Sequence, residues 1–361
     1  MIKNKTYRQD KKDMKILLDF GFGYFINAKT GVGKYEGNII WGLQTEYDIV
    51  VPQKYTASLP SNANPVTFSS FRKRFSKLMH LLFSADSLYG NYDVVIMGTA
   101  CYRKSKKVKQ IPIVHDLMCF TEPENYSFGR RFGNRIAART LKNAYKLIAV
   151  SNTTKQVLHD LFKISFNKIV VLPNVTDFYI QRKSPADFIF IGDMRKNKNL
   201  DYLIKGFAKF KEDCSGNERL IIAGNKSFEY EKLIECVRQH HQEKNIVFLG
   251  YVSEYEKIEL FSNSKGLVFI SDNEGFGIPL LEANVNGIPV LCSDIPVFHE
   301  VVTEKGCIFI DNKDVASIAD GIKKLKDYHV DEEYRKELKE KYSMSVFAKL
   351  LNIFIAGISE K

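Results

Sequence analysis

The sequence predicts an α/β protein built as two doubly wound domains that face each other across a deep cleft. Three observations carry this. The chain has 361 residues, more than a single hydrophobic core ordinarily serves. Short runs rich in Ile and Val alternate with helical segments of about ten residues, the pattern of parallel sheets covered on both faces. That alternation begins twice, at Met14 and again at Phe188.

Taken in order, residues 1–13 are polar and lysine-rich and read as a disordered lead-in, with no apolar stretch behind them to act as a signal. Met14–Phe20 (MKILLDF) reads as the first buried strand. A glycine-punctuated loop, Gly21 to Gly33, leads into a helix expected from Lys34 to Leu43. Further strands are expected at Tyr47–Val51, Val94–Met97, Ile111–Val114 and Leu147–Val150, completing a first domain over residues 14–172. A linker at 173–185, between Pro173 and Pro185, precedes a second domain over 186–340.

The second domain opens on the strand Phe188–Gly192 (FIFIG), a basic loop and the helix Leu200–Lys211. It continues through the strand Leu220–Ala223, the helix Tyr230–Gln239, the strand Ile246–Phe248 and the helix Tyr255–Asn263. The strand Gly266–Ile270, the helix Ile278–Asn286 and the strand Pro289–Cys292 follow. From Val315 the chain is helical, with Ile318, Ile322 and Leu325 on one face, and residues 341–361 are read as a helical tail packing back on the first domain. Ligands of such sheets sit beyond the carboxyl ends of the strands, so two facing sheets create one cleft between them.

Composition narrows the function classes. The chain is 45% hydrophobic and 26% charged, as a folded soluble protein is, and no run approaches eighteen apolar residues. The expected location is the cytoplasm. Six cysteines without a CxxC pair (Cys101, Cys119, Cys214, Cys236, Cys292, Cys307) agree with a reducing compartment and argue against a structural zinc.

The net charge of +11 is uneven: residues 1–172 hold 27 Lys/Arg against 12 Asp/Glu, and residues 173–361 hold 26 against 30. The first half is therefore expected to face something anionic. No nucleic-acid-binding signature is present, so nucleic acid is not expected as a partner. In Phe71–Phe83, Arg72, Lys73, Arg74 and Lys77 stand beside Phe71, Phe75, Leu78, Met79 and Leu82. That helix could lie peripherally on an anionic membrane surface, the inner face of the plasma membrane, or pack as a domain helix with a basic outer side.

The stretch Glu274-Gly-Phe-Gly-Ile-Pro-Leu-Leu-Glu282, continued by Gly287-Ile-Pro-Val290, closely resembles the signature of retaining glycosyltransferase family 4. This is the group 1 glycosyl transferases, which include bacterial mannosyltransferases and sucrose synthases. Thr30-Gly-Val-Gly-Lys-Tyr35, His115-Asp-Leu117, Ser151-Asn152, Leu172-Pro-Asn174 and Gly192-Asp-Met-Arg-Lys-Asn-Lys-Asn-Leu200 match the same family in the same order. The resemblance implies the GT-B fold, two Rossmann-like domains with a nucleotide-sugar donor held mainly by the second. It implies acceptor and membrane contacts on the first domain, and retention of anomeric configuration.

By this resemblance Glu274 holds hydroxyls of the donor sugar and Glu282 holds the ribose. A carboxylate accepts two hydroxyls at once, which suits vicinal diols. The N–H groups of Phe276, Gly277, Ile278 and Leu280 are expected at a helix N-terminus, where phosphate or sugar oxygens are welcome. Lys198 and Arg195 would neutralise the diphosphate as charge develops on the leaving β-phosphate. Gly31 and Gly33 would let their loop approach the donor phosphates. His115 would reach the donor sugar near its sixth carbon, and Asp116 would brace the loop or stand near the acceptor.

No carboxylate is placed for double displacement, so retention implies front-face substitution, in which a leaving phosphate oxygen takes the acceptor's proton and the protein positions the partners. The chain lacks a D-x-D motif, and with Lys198 present neither metal nor cofactor is expected. The expected reaction moves a hexose (mannose, glucose, galactose or an N-acetylated sugar) from a GDP- or UDP-sugar. Its acceptor would be a lipid-linked or saccharide hydroxyl in surface polysaccharide assembly. Two alternatives remain open: a nucleotide-sugar epimerase of the same fold, and a non-enzymatic binder of anionic ligands.

Overall fold

A computed structural model describes residues 14–20, 30–66, 85–98, 100–123, 139–214 and 216–359. The basic segment expected to meet a membrane, with Arg72, Lys73, Arg74 and Lys77, lies outside them.

In the first half, β1 (Ile16–Asp19) precedes α1 (Gly31–Gly42), β2 (Tyr47–Val50), β3 (Ala63–Val66), α2 (Ala85–Tyr89), β4 (Val94–Met97) and β5 (Lys109–Val114). Then come α3 (Met118–Thr121), β6 (Leu147–Ala149), α4 (Asn152–Phe162) and β7 (Ile169–Val171). The seven strands form one parallel sheet in the order β3-β2-β1-β4-β5-β6-β7. The central strands β1 and β4 are buried at every position, which is why they read as unbroken apolar runs. Pro65 sits in β3 at the sheet's edge, where a residue without an N–H does least harm.

The second half runs β8 (Asp187–Ile191), α5 (Leu200–Asp213), β9 (Leu220–Ala223), α6 (Tyr230–Gln239), β10 (Ile246–Gly250), α7 (Glu254–Ser262) and β11 (Ser264–Phe269). It continues through α8 (Ile278–Val285), β12 (Val290–Ser293), α9 (Pro296–Val301), β13 (Cys307–Ile310) and α10 (Val315–Leu325). Helices α11 (Glu332–Lys341) and α12 (Met344–Ser359) end it. Its six parallel strands take the order β10-β9-β8-β11-β12-β13.

In both sheets the strand order reverses beside the first strand, between β1 and β4 and between β8 and β11. Those two switch points, beyond the carboxyl ends, are where a doubly wound sheet takes its ligand. The segment 173–185 carries no regular structure. Helix α12 crosses back to the first half: Asn352 Nδ2 donates to the Gly42 carbonyl at 2.8 Å, and Phe347, Leu351, Ile355 and Ile358 are buried. By length and composition Glu332–Ile358 could cross a bilayer. In the structure it is two helices parted at Tyr342–Ser343, with this apolar stripe packed inward.

One boundary differs from expectation in a way that matters. α1 begins at Gly31, not Lys34, because the Thr30 side chain caps it by accepting from Gly33 N at 3.1 Å. Gly31 and Gly33 are thus first-turn residues of a helix rather than members of a loose loop.

Candidate active site

At the second switch point the segment after β8 meets the segment after β11. Lys198 lies in a short 3-10 turn closed by Asn199, whose φ of 45° is left-handed, and α5 starts immediately after. The Lys198 ammonium forms an ion pair with Glu274 Oε1, and both side chains are largely enclosed, at 11% and 15% exposure. Its Nζ also stands 4.5 Å from the centre of the Phe269 ring, a cation–π contact at the end of β11. The donor-hydroxyl carboxylate and the phosphate-neutralising lysine inferred from the motifs are therefore direct neighbours. Arg195 is not with them: its guanidinium pairs with Asp193 at 2.8 Å and is 58% exposed, so its charge is spent locally in solvent.

Beyond Glu274 the chain turns sharply at Gly277, whose φ of 93° is left-handed and favours glycine, and enters α8 with Pro279 in the first turn. Leu280 N is already taken up by the Gly277 carbonyl at 3.1 Å, so that N–H serves the helix instead of facing a ligand, as expected of it from the motif. Phe276 is buried and packs edge-on against Tyr342.

Glu282, one turn into α8, is buried, with Oε1 held by Lys257 Nζ at 2.6 Å and approached by Lys34 Nζ at 3.9 Å. Its Oε2 is enclosed and has no partner among the described residues. That leaves one acceptor oxygen for a ligand hydroxyl. Lys34, Asn174, Thr176, Glu254, Ile278 and Glu282 line one pocket at this place.

The first half supplies the opposite wall. His115 follows β5, and its ring lies edge-on to Tyr35 with centroids 5.2 Å apart. Its Nε2 is enclosed without a partner among the described residues, and burial lowers the ring's pKa to about 4. The imidazole is neutral at pH 7 and can offer Nε2 to a ligand hydroxyl. Asp116 Oδ1 accepts from Met118 N at 3.1 Å, bracing the start of α3.

Contacts across the cleft bring the halves together. Gly31 faces Ile278 so closely that an added Cβ would stand 3.1 Å from Ile278 Cδ1. Lys34 Nζ reaches Glu254 at 3.1 Å, and Asn273 Nδ2 donates to Thr121 Oγ1 at 2.9 Å. The Glu300 carboxylate caps α4 from the other half, accepting from Asn152 N at 2.6 Å and Thr153 N at 3.0 Å. Gly275 lies against the His115 carbonyl, and a Cβ there would come well under 3.0 Å from it. Gly275→Ala must push the Glu274 loop off His115, because main chain cannot yield as a flexible side chain does. A displacement of that size is expected to lower kcat/KM for transfer by about 10²-fold with the fold retained, as steady-state rates and circular dichroism would show.

Sequence reasoning missed Lys257, Lys34, Glu300 and the role of Asp272. Asp272 Oδ1 accepts from Asn199 and Asn312 and pairs with Lys313 at 3.0 Å, which fixes the Lys198 turn. Among the described residues no group of three or more His, Cys, Asp or Glu could hold a metal ion.

Residues 42–178 match the family described as Glycosyltransferase Family 4, and residues 177–343 match Glycosyl transferases group 1. The O-antigen chain mannosyltransferase B of Escherichia coli is 25% identical over 325 residues, covering 80% of this chain and 85% of that protein. The O-antigen chain mannosyltransferase RfbU of Salmonella typhimurium is 30% identical over 215 residues, 59% of each chain. The serotype-specific mannosyltransferase WbdA of Escherichia coli is 26% identical over 84% of this chain, which spans 41% of that longer protein.

Among solved structures, a sucrose-phosphate synthase from Thermosynechococcus elongatus superposes with a TM-score of 0.73 at 13% identity, covering 96% of this chain and 99% of its own. The lipopolysaccharide outer core galactosyltransferase WaaB does so with a TM-score of 0.66 at 17% identity, covering 95% and 99%. With one family match succeeding the other along 42–343, on two facing sheets of the GT-B fold, the chain belongs to glycosyltransferase family 4 and is a glycosyltransferase.

Proposed function

We propose that the chain transfers mannose, with retention, from a nucleotide diphosphate donor to a saccharide hydroxyl during assembly of a surface polysaccharide. The observation that carries the reading is the enclosed Lys198–Glu274 pair at the second switch point, eight residues before Glu282 with its open carboxylate oxygen. Glu274 receives hydroxyls of the donor sugar, Lys198 meets the diphosphate, and Glu282 receives the ribose. Neutral His115 reaches the sugar from the first half. Mannose is favoured over other hexoses because the O-antigen relatives are named as mannosyltransferases.

In this reading the acceptor hydroxyl enters on the face the diphosphate leaves, a phosphate oxygen takes its proton, and Lys198 stabilises the departing charge. No step requires a metal. Arg195 falls out of the catalytic group and acts at most at long range. The acceptor is a lipid-linked or free oligosaccharide, met on the first half.

A panel of GDP-mannose, UDP-glucose, UDP-galactose and UDP-N-acetylglucosamine, read by thermal shift and then by product analysis, tests the donor. Stabilisation by GDP-mannose and an α-linked product support the proposal; inversion, or release of an altered free sugar as an epimerase would give, refutes it.

The excess of Lys and Arg in residues 1–172 further supports peripheral attachment to an anionic membrane. Co-sedimentation with vesicles containing about 30% anionic lipid is expected at low salt and lost at 0.5 M salt, where the Debye length has fallen to a few ångströms. Protein that stays in the supernatant at both salts would rule this out.

A further inference from the structure

The first sheet has a switch point of its own, and a carboxyl group lies in it with one oxygen unused. Glu36, in the second turn of α1, is 2% exposed, and its Oε2 is enclosed with no partner among the described residues. Phe20, just past β1, and Gly98, just past β4, pack around it. A Cβ on Gly98 would collide with Glu36 Oε1 and stand 3.3 Å from the Phe20 main chain. Gly98 N donates to the Asp19 carbonyl at 3.1 Å, so the two strand ends are tied together beside this carboxyl.

Leaving a buried polar group unpaired forfeits its hydration with nothing in return, and native structures seldom do so without a reason. Glu36 caps no helix end and pairs with no charge among the described residues. Burial alone lifts its pKa from 4.5 to about 8, so near neutral pH the carboxyl is mostly protonated. A protonated carboxyl has one donor and one free acceptor, which a sugar hydroxyl satisfies together.

Its place supplies the reason. Glu36 stands to β1 and β4 as the Lys198–Glu274 pair stands to β8 and β11: beyond the carboxyl ends, where the strand order reverses. The preceding residue, Tyr35, packs on His115 and donates its hydroxyl to the Leu172 carbonyl at 2.8 Å, so the turn that carries Glu36 is part of the cleft wall.

We propose that Glu36 is an acceptor-binding residue, its carboxyl taking a hydroxyl of the acceptor saccharide at the switch point of the first sheet, opposite the donor at that of the second. This rests on the glycosyl-transfer reading. It goes beyond it in giving the first half a specific hydroxyl receptor, enclosed enough to exclude bulky or ionic groups.

The test uses the full chain and its Glu36→Gln and Glu36→Leu variants. Methyl α-D-mannopyranoside is the acceptor probe, titrated by saturation-transfer NMR in the presence of GDP, and GDP-mannose binding is measured alongside. Both variants are expected to bind the mannoside at least tenfold more weakly, with GDP-mannose affinity within twofold of wild type. Glu36→Leu is expected to melt no lower than wild type, since it removes an unpaired carboxyl.

A second readout is the pH dependence of stability. Among the described residues, Phe20 and Gly98, which meet beside the carboxyl, do not titrate. Between pH 4.5 and about 8 the folded chain keeps a proton that the unfolded chain releases, so wild type loses stability as pH rises through that window. Glu36→Leu should lack that part of the slope. Equal mannoside binding by all three chains, no binding by wild type, parallel weakening of both ligands, or an unchanged slope in the Leu variant would each overturn the proposal. If wild type binds and hydrolyses GDP-mannose while ignoring the mannoside, this inference alone has failed. If it does neither, the glycosyl-transfer reading has failed with it.

Discussion

Glu274→Gln is expected to leave the fold intact and to lower transfer by about 10²–10³-fold, the range for losing one preorganised electrostatic contact to a transition state. The substitution keeps shape but removes the charge and one of two acceptor oxygens. The partner Lys198 then loses its counter-ion at a place where both side chains are largely shielded from water. The donor sugar's hydroxyls would face an amide that can accept on one side only. Because the loss is of interactions that strengthen as the glycosidic bond breaks, kcat and kcat/KM should fall together while the melting temperature moves little. A rate within tenfold of wild type, in protein with an unchanged circular dichroism spectrum, would remove Glu274 from its assigned role.

Lys198→Ala should act on binding and chemistry at once, raising the donor KM and lowering kcat, with kcat/KM down by about 10²-fold or more. In the proposed reading its ammonium meets the diphosphate in the ground state and more strongly as charge moves onto the leaving group. Arg195→Ala provides the contrast. That guanidinium is exposed and paired with Asp193 two residues away, so its removal should change the rate by no more than about twofold. Equal losses in the two variants would mean that the loop rearranges on donor binding and brings both charges to the phosphates. EDTA should leave the wild-type rate largely intact, since the charge a metal would supply is supplied by Lys198. Activity lost on chelation and restored by Mg²⁺ or Mn²⁺ would contradict this.

Much of the fold was legible because parallel strands buried on both faces write themselves as unbroken apolar runs. The strands Val94–Met97 and Leu220–Ala223 fall where that pattern puts them, and the helix Tyr230–Gln239 falls where the helical pattern puts it. β3, β7 and β13 did not stand out. β3 reads Ala-Asn-Pro-Val at the sheet's edge, with two of its four residues exposed, so it shows no apolar run. The early start of α1 was missed for a different reason. Two glycines read as a loop, and only the Thr30 cap, a side-chain contact, turns them into a helical first turn.

The candidate site divides in the same way. Glu274, Glu282, Lys198 and His115 were identifiable because the segments after a strand's carboxyl end are contiguous in sequence, and a nine-residue motif or a short basic loop stays together on folding. What the sequence by itself determined was therefore the two α/β halves, the order of their segments and the residue types offered at each strand end. Only the tertiary structure decided the pairings: Lys198 with Glu274 across 76 residues, Lys34 with Glu254 across 220, and Glu300 on the N-terminus of α4 across 148. It also decided that Arg195 turns to solvent, that Asp272 is consumed in holding a turn, and that Glu36 is left enclosed at the first switch point. The physical reason is range. Strand and helix patterns record whether each residue faces core or water, a local property with a fixed period. Which charge meets which depends on how the two sheets dock, and no period in the chain encodes that distance.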